Sequence, residues 1–123
     1  MIALLALLLG ATSPDPVPLR SAVETCDRGS MAMLTRAEPR RRAEWADAIY
    51  REQRAIASER VSLVATSATP AGQANVASSR QTLEARQQQL EDARAVERAW
   101  REFYDEYRAD FLASCSGKKR DDG

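Results

Sequence analysis

The sequence contains no histidine, which excludes Ser–His and Cys–His nucleophiles and every His-centred acid–base scheme. Cysteine is scarce as well: there are 2, far apart in the chain, so the closely spaced ligand pairs of the usual zinc sites are missing. The 5 glycines are scattered and form no Gly-rich loop that could cradle a phosphate. There is no excess charge of either sign. With 18 basic and 18 acidic residues the chain lacks the cationic surplus that nonspecific binding to nucleic acid needs, and no nucleic-acid partner is expected. No apolar run reaches the length of a bilayer-spanning helix, since the longest, Met1 to Gly10, stops well short of about 20 residues.

That run has instead the length of a signal-peptide hydrophobic region. Residues 1–11 are read as a signal peptide cut after Ala11, and residues 12–20 as a Pro-rich spacer. A cut after Ser13 would fit the small-residue pattern better, but Pro14 would then hinder the peptidase. No Lys or Arg precedes the run, and a short buried helix at the start of a cytosolic domain is the competing reading. Export places the chain in the periplasm or outside the cell, without stable membrane insertion once the leader is gone.

What remains is the length of one small domain and is patterned for helices. Ser21 to Glu24 matches a capping box, predicting a short helix past Cys26 toward Gly29. Thr35 to Glu38 repeats the box, with Pro39 still in the first turn, and predicts a second helix to about Thr66. Trp45, Ile49, Ile56 and Leu63 form one apolar stripe on it, shadowed by Tyr50, Ala57 and Val64. The turn formers gather between Ser67 and Gly72, where Thr69 suits an N-cap and Pro70 a first helical residue. Beyond them Val76, Leu83, Leu90, Ala93, Val96, Trp100, Phe103, Tyr107 and Phe111 keep helical steps to an end near Ser114, with a charged flexible tail at 117–123. No period-two alternation supports strands. The expected fold is therefore all-α, a helical domain over 21–116. It is an antiparallel two-helix hairpin with a short N-terminal helix packed at its open end, and that end is closed by a disulfide. Folding back at Pro70 sets Arg36, Arg40, Arg41 and Arg42 opposite Glu102, Asp105 and Glu106 as exposed pairs.

Cys26 lies 44 residues before Pro70 and Cys115 lies 45 after it, so the same fold-back brings the two sulfurs to one height. In an oxidising compartment they are expected to pair. The competing readings are a metal site, a reactive thiol and two unrelated buried cysteines.

No catalytic, cofactor-binding or metal-binding residue is assigned, and the chain is not expected to be an enzyme. The neighbouring carboxylates Glu91 with Asp92 and Asp105 with Glu106 diverge by about 100° on a helix and read as surface charges, as does the Gln87 to Gln89 run. The aromatic cluster reads as core, with Trp100, Phe103, Tyr107 and Phe111 on one face and Tyr104 at its edge, free to meet a partner. Ser67 and Thr69, in the only irregular segment of the hairpin, are the other possible partner contacts.

Ala46-Asp47-Ala48-Ile49-Tyr50-Arg51, followed by Glu97-Arg98-Ala99-Trp100-Arg101-Glu102-Phe103-Tyr104-Asp105 and a late cysteine, resembles the small exported helical domains named after the LprI-type lysozyme inhibitor. The resemblance spans Cys26 to Cys115. Ala109 and Asp110 stand where the family's pattern would put a further Cys, and the Asn before the first-helix Tyr is absent. It implies a protein partner in the cell envelope, lysozyme inhibition by occlusion being the specific form. The alternative function is a periplasmic coiled-coil scaffold or chaperone-like protein.

Overall fold

The computed structural model describes residues 14–121, with side chains as far as Cys115, so the signal-peptide reading of residues 1–11 lies outside it. Three helices follow in order: α1 (Pro16–Glu24), α2 (Arg28–Ser67) and α3 (Pro70–Asp121).

The first helix starts earlier than the capping box suggested and consumes the Pro-rich spacer. Asp15 is its N-cap, accepting from the Val17 N–H at 2.9 Å, and Pro16 is its first residue, where a missing N–H costs nothing. Ser21 is interior to the helix, and its carbonyl accepts from the Thr25 N–H at 3.0 Å. The helix then stops at Glu24, before Cys26, in a Schellman motif. Asp27 N–H donates to the Ala22 carbonyl at 2.9 Å and Cys26 N–H to that of Val23 at 3.3 Å, with Cys26 left-handed at φ 51°. A position that favours glycine holds a cysteine because its sulfur is needed. In a Cys115→Ser background, which removes that need, Cys26→Gly is expected to unfold at higher denaturant than Cys26→Ala, by about 1 kcal/mol.

The α2 helix likewise begins before its predicted box. Asp27 caps it, accepting from the Ser30 N–H at 3.1 Å and the Ser30 hydroxyl at 2.7 Å; these bonds hold the Asp27 carboxyl below the usual carboxylate value. Starting at Arg28 makes α2 40 residues long and puts Pro39 inside it, where the proline has no N–H to return to the preceding turn. The α3 helix begins where predicted, at Pro70, with Thr69 Oγ1 accepting from the Gly72 N–H at 3.1 Å. It runs 52 residues to Asp121, past the predicted end near Ser114 and through most of the segment read as a flexible tail.

Only Ala68 and Thr69 separate the two long helices. So tight a reversal presses the start of α3 onto the end of α2, and a Cβ at Gly72 would collide with the Thr66 carbonyl oxygen and the Thr66 and Thr69 side chains. Gly72→Ala is therefore expected to destabilise the protein by about 1–3 kcal/mol, although alanine is the better helix former. Chemical denaturation of the two proteins checks this.

The core is split in two. Near the chain ends Leu19 and Ala22 of α1 meet Met31 of α2 and Tyr104, Phe111 and Cys115 of α3, with Leu34, Trp100, Phe103 and Tyr107 around them. Further along, Ile56, Leu83 and Leu90 are buried, with Ile49 and Leu63 against them. Trp45 is buried as expected; Tyr50, Val64 and Val96, also named in the apolar patterns, stand exposed. Polar partners bridge α2 and α3 along their length: Arg41 with Glu97, Gln53 with Arg94, Glu52 and Glu59 with Arg86. Cys26 and Cys115 lie at disulfide distance, their Cα atoms 5.3 Å apart, at the end where α1 packs. No helix among the described residues is long and apolar enough to cross a membrane.

Candidate functional site

Just inside the cysteine pair the two long helices bury charge. Glu38 on α2 and Glu97 on α3 are each only 6% exposed, and Arg41 is clasped between them. Its Nη2 lies 2.8 Å from Glu38 Oε1 and 2.9 Å from Glu97 Oε1, while its Nη1 donates to Glu97 Oε2 at 3.0 Å. Glu38 also accepts from Arg42 Nε at 2.8 Å and from Trp100 Nε1 at 2.9 Å, and Arg101 Nε donates to Glu97 at 3.0 Å. Burial alone would push the Glu38 carboxyl up, but the bonds from Arg41, Arg42 and Trp100 outweigh it and hold the group below its ordinary value. Burial opposes the charge on Arg41 too, and its bonds to the two carboxylates overcome that and raise its pKa. A carboxylate so fully engaged is a poor general acid. The network works as a clamp that fixes the register of α2 against α3.

Above the clamp lies a cleft of about 270 Å³ walled by Pro18, Leu19, Leu34, Ala37, Trp100 and Tyr104, with Glu38 and Arg41 at its floor. Pro14 and Asp15 form its N-terminal lip. The guanidinium of Arg41 stands 5.6 Å from the Trp100 ring centre, and that of Arg42 stands 5.4 Å from Tyr104, so cations stiffen two of the aromatic walls. An apolar hollow backed by a satisfied charge network suits a hydrophobic side chain more than an ion.

No protein-family model, curated protein or solved structure matches this chain. The site therefore rests on its own geometry.

Of the residues singled out in the sequence, Cys26 and Cys115 come together. Tyr104 does not project from the edge of the stripe. It is 5% exposed and belongs to the core cluster around Leu19 and Cys115. At about 100° per residue Tyr104 falls about 20° from both Ala93 and Phe111, near the centre of the buried face, whereas Phe103 lies about 80° from those two. Counting Phe103 on the face, about 100° from Tyr104, is what puts Tyr104 at the edge. Ser67 and Thr69 lie at the opposite end of the molecule, and they satisfy the turn rather than form a projecting loop. Ser67 Oγ donates to the Val64 carbonyl at 2.8 Å, and Thr69 Oγ1 donates to the Thr66 carbonyl at 3.0 Å while capping α3.

The row of exposed arginine pairs is partly rearranged. Arg42 does meet Asp105, at 3.5 Å, but Arg41 turns inward and Arg40 pairs with Glu44 on its own helix. Glu38, Arg41 and Glu97 were not foreseen as a unit. One signal was available for Glu97, which lies four residues after Ala93 and seven before Tyr104, on the apolar face of α3.

Proposed function

We propose that this chain is an exported helical protein of the cell envelope that acts by binding a protein partner, in the manner of the LprI-type lysozyme inhibitors it resembles in sequence. The observation that carries the binding reading is the cleft at the junction of the three helices. Its walls are apolar and include Trp100, its floor is held by the Glu38–Arg41–Glu97 clamp, and its volume of about 270 Å³ suits one large side chain. The paired cysteines support export, because such a bond persists where thiols are not kept reduced. Catalysis is not proposed, because the polar groups at the cleft floor are spent on one another. Titrating the oxidised protein into a lysozyme assay tests the specific form. Loss of lysozyme activity with rising protein, relieved by Ala37→Arg at the cleft wall, is expected; full activity at micromolar excess would remove lysozyme as the partner.

A second reading, a periplasmic coiled-coil scaffold or chaperone-like protein, is favoured by the apolar side chains that α2 leaves in solvent, Met33 at 67% and Tyr50 at 57% exposure among them. It predicts an assembly held along the length of α2, which light scattering on Met33 and Tyr50 variants detects.

A further inference from the structure

The far end of the hairpin differs in chemistry from the rest of the chain. Charged residues make up 29% of the sequence, yet none occurs from Val61 to Ser79. Within that uncharged tip Val61 and Val64 are each 72% exposed, the most exposed of the large apolar residues among those described. Val64 forms one wall of a groove of about 320 Å³ between the helices, floored by Leu63 and Leu83 and rimmed by Arg60, Arg80 and Glu84, and Val61 stands out beside it. Knob and groove are thus neighbours on one surface. None of the three rim charges has an ion-pair partner among the described residues.

From this arrangement we infer that the tip is a self-docking surface whose occupant is the tip of a second copy of the chain. A two-fold axis makes an interface isologous: whatever one copy inserts into the other, it receives in return. A surface carrying both a protruding valine and an adjacent apolar groove satisfies that condition with one contact used twice. Charge complementarity points the same way. The rim holds both signs, so Glu84 of one copy meets Arg60 or Arg80 of the other, while the uncharged tip contributes no like-charge contact and no ion to desolvate. The arginine- and glutamate-studded faces nearer the chain ends lack that property. The patch is small, so the dimer is weak and forms in the micromolar range or above. The tip stands about 40 Å from the junction cleft, counting 26 residues of helix between Glu38 and Val64 at about 1.5 Å each, so the two surfaces work independently.

Sedimentation equilibrium on the oxidised protein tests this. The wild-type chain should show a monomer–dimer equilibrium. Val61→Glu/Val64→Glu, both on solvent-facing positions, should weaken it more than about 100-fold with an unchanged melting curve at concentrations where the wild-type chain is monomeric. Glu84→Arg alone, and Arg60→Glu/Arg80→Glu alone, should each weaken it about tenfold, and mixing those two variants should restore a heterodimer. A wild-type chain that stays monomeric to about 1 mM overturns the proposal, as does association that survives the double valine substitution or fails to recover on mixing. Loss of lysozyme inhibition by contrast would leave the tip untouched, and tip variants should retain whatever partner the junction cleft binds.

Discussion

Reducing the Cys26–Cys115 bond is expected to destabilise the protein by about 4–5 kcal/mol, the chain-entropy value for a loop of some 90 residues. The sequence separation is 89, most of the described chain, so the bond closes a long loop and restricts the unfolded state strongly. On a domain of this size that corresponds to a fall in melting temperature of roughly 15–30 °C. The loss matters because a three-helix junction and a two-helix extension make a thin core, and a small domain holds only about 5–15 kcal/mol in all. Helicity should outlast tertiary structure in the reduced protein, since the caps at Asp15, Asp27 and Thr69 are local and independent of the bond. Thermal melts followed by circular dichroism, with and without reductant, measure both effects; an unchanged midpoint would show that the bond does not constrain the fold.

Arg41→Ala should be the most damaging single substitution outside the cysteines. It removes the shared cation of Glu38 and Glu97, each 6% exposed; Arg42 and Trp100 still donate to Glu38 and Arg101 to Glu97, so the cost is about 3 kcal/mol, the low end for breaking a buried pair from one side. Arg40→Ala, one residue away, is the control: Arg40 is 86% exposed and pairs only with Glu44, so its loss should cost no more than a few tenths of a kcal/mol. The pH dependence distinguishes a charge effect from lost packing. In the wild-type protein the Glu38 carboxyl is held below its ordinary value of 4.5, so its contribution is complete above that value and is lost as pH falls through the depressed one. Removing Arg41 takes away the main donor that offsets burial, so protonation then relieves the folded state. The gap between wild type and Arg41→Ala should therefore be widest near neutrality and narrow below about pH 4.5. A gap that is the same at pH 7 and pH 4 would mean that the side chain's bulk, and not its charge, holds the helices together.

Much of this architecture was legible in the residues. The break at Thr69-Pro70, the two apolar stripes and the near-equal distances of the cysteines from Pro70 together led to an all-helical chain whose cysteines pair. What was misread follows from competition between local signals. Ser21 and Thr35 each begin a good capping box, but Asp15 and Asp27 stand upstream with free donors to satisfy, and a helix already under way does not restart at an internal serine or threonine. Pro39 reads as a first-turn residue for the same reason, but α2 is already under way from Arg28, with Met31 in the core, and runs through it. Tyr104 shows the cost of counting one partly buried ring, Phe103, as part of a helical face, since that moves a core residue to the edge. The Glu38–Arg41–Glu97 clamp was the least legible. Its members lie on two helices, and a buried charge is distinguished from a surface one only when the register between those helices is known.

Export, the fold-back at Pro70 and the closure of the open end all meet in the state of two sulfur atoms, so the most direct test is made on protein isolated from the cell envelope without reductant. Thiol titration of the unfolded protein should find no free cysteine, and a non-reducing peptide map should join the Cys26 peptide to the Cys115 peptide within one chain. Two titratable thiols, or a bond that links two chains, would contradict export to an oxidising compartment and the pairing of α1 with the end of α3.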